Sequence, residues 1–178
     1  LLFAKMGQEK LKLQWRTSPE KFSKTDWRNK SQPNLRQKVF DSFVENIKSY
    51  EYNLKNAVPV LPMAHGTTKE SAWKIVQTGF ATMATVDGGW FGKGMYFSTS
   101  IKYTKQYAKS DAEGCVHVML CAVVPGNIYP VVECPKSTDS LLGKPCISGY
   151  QSHYVKVKAA RGCIREPAPE NFKGETAD

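Results

Sequence analysis

Two short segments constrain this chain more than anything else in it: Met63-Ala64-His65-Gly66-Thr67 and Gly92-Lys93-Gly94-Met95-Tyr96-Phe97-Ser98. Each reads as a short buried strand ending in small or polar residues. Glycine at position 66 carries no Cβ, so a ligand can approach its backbone closely. Side by side, the two segments offer an imidazole, a bare stretch of backbone and a phenol ring. That combination suits a flat aromatic amide clamped between them.

The surrounding pattern predicts the scaffold. Residues 34–50 read as a helix, punctuated at the start by Pro33 and Asn34, with Phe40, Phe43 and Ile47 recurring on one side. Residues 58–64 form an apolar run leading into His65. Residues 68–79 read as a second helix, capped by Thr67 or Thr68, with Glu70 in its first turn and Gly79 at its end. Trp73, Ile75 and Val76 give this helix a buried side. Asp87-Gly88-Gly89 forces a turn within residues 81–91. Residues 95–98 are expected to be a strand. Residues 100–109 follow as a short helix with Tyr103 and Tyr107 on one face.

Strands dominate the second half. Residues 115–124 are apolar except for His117, which reads as a strand-face residue. A turn at Pro125-Gly126-Asn127 leads to another strand over residues 128–133. Residues 135–149 are expected to be a surface loop, and residues 150–157 a half-buried strand. Helices early and strands late argue for an α+β fold with a split, mainly antiparallel sheet. We read residues 1–33 as a basic arm with a short strand around residues 10–15, residues 34–165 as the domain, and residues 166–178 as a polar tail.

Composition narrows the function class. A chain of 178 residues with 41% hydrophobic content can bury a core. No apolar run is long enough to span a membrane. The apolar start, Leu1-Leu2-Phe3-Ala4, is too short for a signal peptide and lacks Met, and reads as a point inside a longer protein. Residues 1–40 hold ten Lys/Arg against three Asp/Glu. The arm is thus a candidate nucleic-acid contact, although a solvated flank is the simpler reading. The five cysteines, Cys115, Cys121, Cys134, Cys146 and Cys163, include no CxxC pair. No metal site is expected from this spacing. The pattern suits a reducing compartment, cytoplasmic or nuclear.

Over residues 58–158 the sequence resembles the NAD-dependent ADP-ribosyltransferases of the poly(ADP-ribose) polymerase type. The resemblance rests on ordered motifs. His65-Gly66-Thr67 comes first, then a helix ending in Gly79-Phe80. A glycine loop, Phe91-Gly92-Lys93-Gly94-Met95-Tyr96-Phe97-Ser98 and Tyr107 follow. It implies a split-sheet fold around an NAD cleft, with NAD as substrate and no metal. It also implies that Gly66 and Thr104 hold the nicotinamide amide, that Tyr107 and Tyr96 flank the ring, and that His65 reaches a ribose hydroxyl. Thr67 and Phe97 complete the cofactor-binding set. Residues 82–89 match the loop that covers NAD, where Asp87 either contacts a ribose or serves the turn. Lys93 reads as pointing to solvent.

One part of the family pattern is replaced. The family's polymerases carry a Glu before Tyr-Ile/Val near the domain end. Here Ser152-His153-Tyr154-Val155 puts His153 at that place. The resemblance gives His65, Tyr96 and His153 as the catalytic set. A neutral imidazole accepts a hydrogen bond but supplies no negative charge to an oxocarbenium-like ribose. Chain elongation is therefore expected to be lost. The expected activity is mono-ADP-ribosyl transfer from NAD to a protein or nucleic-acid acceptor. The alternative is an inactive module that binds NAD or ADP-ribose. Glu133, or a carboxylate on the substrate, is a candidate substitute acid.

Overall fold

The computed structural model describes residues 25–51, 59–80 and 89–156. The strand expected near residues 10–15, the loop at 82–88 with Asp87, Cys163 and the tail lie outside the described residues.

Helix α1, Pro33–Lys48, starts where Pro33 takes its first position after Gln32 in a left-handed conformation. Proline suits that position because the first helical N–H has no partner in any case. Leu35, Arg36, Val39 and Phe43 are its buried side. Strand β1, Leu61–Thr67, runs into helix α2, Lys69–Thr78. Thr68 caps α2 by accepting from the Ser71 N–H at 3.2 Å, and Gly79 ends it with φ of 79°. A short helix α3, Ile101–Thr104, continues as a 3-10 turn, Lys105–Tyr107. Strands β2, His117–Val123, β3, Ile128–Val131, and β4, Ser152–Val155, complete the set.

The sheet is split, as the α+β reading requires. β1 and β2 pair antiparallel, with His65 opposite Met119 and Thr67 opposite His117. β3 and β4 pair parallel, with Tyr129 opposite His153. The second pair departs from the antiparallel expectation. The long connection over residues 132–151 explains it, because a parallel return needs a crossover of about a dozen residues or more.

Parallel strands need cover on both faces, and β3 has it. Tyr129 and Val131 face a cluster with Trp27, Phe91, Leu141 and Tyr150. Ile128 packs with Phe43 and Leu61, while Val132 packs with Leu35 and Val39. Each buried aliphatic or aromatic side chain of this kind contributes about 1.5–3 kcal/mol. Trp27 is fully buried and its ring lies 5.3 Å from that of Phe40. The Tyr150 hydroxyl donates to the Asp26 carboxylate, so the segment before α1 joins this core.

One expectation about burial is corrected. Trp73 is 62% exposed and no residue of α2 is buried, because α2 packs mainly against β2. Leu120 is also largely exposed, although β2 is almost wholly apolar. The face of the β1–β2 pair that carries Leu61 and Met63 packs on the core, and on the other face Ala64 is buried while Leu120 is not. No helix among the described residues is long and apolar enough to cross a membrane.

Candidate active site

β1 pairs with β2 on one edge. On the other edge Ala64 and Ser98 exchange both backbone bonds: the Ala64 N–H to the Ser98 carbonyl at 2.7 Å, and the Ser98 N–H to the Ala64 carbonyl at 2.9 Å. In an antiparallel ladder the next exchanging pair would be Gly66 with Tyr96. It does not form. The His65 Nδ1–H donates to the Tyr96 carbonyl at 2.8 Å and takes that acceptor. The strand expected at residues 95–98 is thus reduced to a single bridge. The N–H and C=O of Gly66 face the same edge as those of Ala64, and no described backbone group takes them.

His65 is fixed by more than this bond. Its ring lies 5.5 Å from Phe97 and edge-on to Phe80 at 5.3 Å. With Nδ1 donating to a carbonyl, Nε2 keeps its lone pair as an acceptor. No described residue bonds that nitrogen.

Gly66 lies against the end of α3. A Cβ there would stand 2.4 Å from the Thr104 carbonyl and 3.0 Å from its methyl, so no larger residue fits. Thr104 is buried, and its hydroxyl donates to the Ser100 carbonyl at 2.8 Å. Its oxygen lone pairs remain the polar feature it can present. Tyr107 is exposed, with its ring 5.4 Å from Tyr103 and the two hydroxyls 2.9 Å apart. The spacing of four on one helical face brings them together, as the sequence predicts.

Tyr96 folds back over a turn. Its hydroxyl donates to the Gly92 carbonyl at 2.6 Å and accepts the Phe91 N–H at 3.0 Å. Gly89, at a φ of 47°, lies so close beneath that a Cβ would sit 2.3 Å from the hydroxyl oxygen. Thr67 stands opposite His117, which bonds Asp111 at 2.9 Å through Nε2. That bond and the Cys115 N–H pull the Asp111 carboxyl down to about 2. His117 is therefore half of a polar pair rather than an idle strand-face residue.

His153 is committed on both sides. Its Nε2 accepts the Ile147 N–H at 3.0 Å, so Nδ1 carries the proton and donates to the Phe91 carbonyl at 2.7 Å. Burial holds the ring below its ordinary pKa and therefore neutral. Its Nδ1 would stand 3.1 Å from a Cβ on Gly92. The imidazole thus pins the turn at residues 89–92 to the loop before β4. Backbone bonds reinforce this, from the Lys93 N–H to the Lys144 carbonyl at 2.7 Å and from Gly143 to Gly89 at 3.4 Å.

Glu133 is equally engaged. Arg36 meets it at 2.7 Å and 3.2 Å, and the Tyr129 hydroxyl and the Val132 N–H also donate to it. Burial works to raise this carboxyl, and Arg36 outweighs burial, leaving it below the usual range. Glu133 is a buried ion-pair partner, not a free acid.

The structure therefore joins His65, Tyr96 and Phe97 directly, sets Gly66 on Thr104, and connects Tyr96 to His153 through the Phe91–Gly92 backbone. Tyr107 and Thr67 are placed on neighbouring elements with other partners. A family model, the poly(ADP-ribose) polymerase catalytic domain, matches residues 27–166, more than half of the chain. The chain belongs to this family. Its domains are NAD-dependent ADP-ribosyltransferases. No curated protein and no solved structure gives a significant match. Among the described residues of this ADP-ribosyltransferase-family chain, no group of three His, Cys, Asp or Glu side chains is arranged to hold a metal ion.

Sequence reading missed the parts played by Phe91, Gly92 and Ile147. They act through backbone groups, which no residue pattern marks. Phe80 was visible only as the end of a motif.

Proposed function

We propose that this domain transfers single ADP-ribose units from NAD to an acceptor and releases nicotinamide. The observation that carries the reading is the open backbone pair of Gly66. A primary carboxamide has one donor side and one acceptor side, matching a strand's N–H and C=O on one edge. The Thr104 oxygen beside it can accept the second amide proton. Tyr107 and Tyr96 then offer rings for the pyridine, and the Nε2 of His65 accepts from a ribose hydroxyl.

His153 supports single transfer over elongation. Elongation requires a ribose hydroxyl to lose its proton as it attacks. Both nitrogens of His153 are spent on backbone groups, so it neither accepts that proton nor adds negative charge. Being neutral, it also does not oppose the positive charge that develops on the ribose.

A second reading rests on Glu133. Its carboxylate is tied to Arg36, so the substitute acid considered from sequence is not available. That favours a module that binds NAD or ADP-ribose without chemistry. Incubation with NAD labelled in the adenylate half, following nicotinamide release and label on protein, separates the two. Single ADP-ribose units are expected. Bound NAD with no nicotinamide release would favour the second reading, and long polymers would overturn both.

A further inference from the structure

The turn over residues 89–92 has little shape of its own. Gly89 and Gly92 hold φ of 47° and 114°, and a glycine backbone has many alternatives of similar energy. Packing of the Phe91 ring in the core fixes where the turn lies, and leaves the orientation of its peptide groups to hydrogen bonds. Phe91 is held through both of those groups. Its carbonyl accepts from His153 Nδ1 at 2.7 Å, and its N–H donates to the Tyr96 hydroxyl at 3.0 Å. The same hydroxyl donates to the Gly92 carbonyl at 2.6 Å. The imidazole is itself braced. The buried Tyr129 ring lies 5.6 Å from it, and Nε2 is tied to the Ile147 N–H at 3.0 Å, on a residue that packs against the same core cluster as Phe91.

We infer that His153 is a positioning residue for the nicotinamide ring and acts through Tyr96. The inference rests on the NAD reading above, in which Tyr96 offers one ring of the pyridine clamp. Tyr96 is 43% exposed, so its anchored hydroxyl matters for holding the ring in place. Without the His153 bond the Phe91–Gly92 peptide is free to rotate, and the hydroxyl loses its seat on the Phe91 N–H and the Gly92 carbonyl. The pyridine then loses one wall of its clamp. The ADP-ribose half is assigned to His65 and does not involve Tyr96. The effect therefore falls on ligands that carry nicotinamide. An imidazole with both nitrogens on backbone groups suits this task, because it crosslinks two loops and takes no part in proton transfer.

The test uses the whole chain and two probes, NAD and ADP-ribose, with affinities read by calorimetry. His153→Leu keeps bulk against Tyr129 and loses both bonds. It should weaken NAD about fivefold, the effect of one net hydrogen bond, and leave ADP-ribose within about twofold. Tyr96→Phe breaks the same link from its other end and should do the same. The double variant should also lose about fivefold, not about twenty-five-fold, because both changes cut one connection. His153→Gln, with one donor and one acceptor, should restore NAD affinity to within about twofold of the parent. Where nicotinamide is released, His153→Leu should raise KM for NAD and leave kcat within about twofold. His153→Asn, whose shorter amide reaches one backbone group and not both, replaces His153→Leu if that protein does not fold, with the same expectations.

Equal weakening of NAD and ADP-ribose would mean a merely structural role and overturns the inference. So do unchanged NAD affinity in His153→Leu, losses that add in the double variant, and a Gln variant as weak as the Leu variant. Any of these with nicotinamide still released leaves the transferase reading standing. The expected pattern without nicotinamide release upholds the inference and overturns the transferase reading in favour of a binding module. A parent that binds no NAD overturns both.

Discussion

His65 bonds the carbonyl of Tyr96 at 2.8 Å and so occupies the acceptor that strand pairing would give to Gly66. A side chain here competes with the backbone for one oxygen, and its success keeps the glycine edge open. Removing the ring should let the ladder grow by one pair. In His65→Ala protein, the Gly66 amide should exchange with solvent about fivefold more slowly in native-state hydrogen exchange, as a net bond of about 1 kcal/mol implies. NAD binding should fall at the same time. Unchanged exchange at Gly66 would refute the competition.

The two bonds of His153 predict which replacements it tolerates. Gln offers one donor and one acceptor, and His153→Gln should cost under about 1 kcal/mol in denaturant unfolding. His153→Glu puts a carboxylate against the Phe91 carbonyl and loses the donor, for a cost of about 1–3 kcal/mol. Restoring the family's carboxylate therefore should not by itself create a polymerase. A His153→Glu protein as stable as the parent would contradict this.

The pH dependence follows from the direction of the His153 shift. Its folded pKa lies below the ordinary value near 6.5, because burial penalises the charged ring. Between the two values the unfolded chain binds more protons, so this contribution is complete above about pH 6.5 and falls away as the pH drops below it. Melting temperature should decline over that window in the parent and decline less in His153→Gln. Asp111 acts lower. Its carboxyl is depressed from 3.8 to about 2 by His117 and the Cys115 N–H. Its contribution holds above about pH 3.8 and disappears as the pH falls through 2. An Asp111→Asn variant with an unaltered acid profile would show that this pair does not contribute.

Arg36 and Glu133 test the burial argument. Both side chains are almost fully buried at a separation of 2.7 Å. Removing one leaves an unpaired buried charge, so Arg36→Met should cost about 3–5 kcal/mol. Arg36→Met combined with Glu133→Leu should cost clearly less than the two single changes added. Additive losses would mean that the pair is not coupled.

Much of the scaffold was legible in the sequence. The helix at Pro33–Lys48 follows from its apolar spacing and opening proline, and the cap of Lys69–Thr78 follows from Thr68 and Gly79. Those signals are local, since capping and periodicity act within one or two turns. The motif order around His65 and Tyr96 likewise pointed to the family that the chain belongs to. The outward turn of Trp73 was not legible, because an apolar residue reads alike whether or not another element covers it.

By itself, then, the sequence determined the main helices and the strands around His65, residue 117 and residue 153, the small residue at Gly66 and the imidazole where the family has a carboxylate. The tertiary structure alone decided that β3 and β4 run parallel, that Tyr96 loses its ladder bond to His65, and that His153 spends both nitrogens on Phe91 and Ile147. The physical reason is that a polar group's role depends on which partner wins it. For these groups the competitors come from segments far apart in the chain, brought together only by packing of the core.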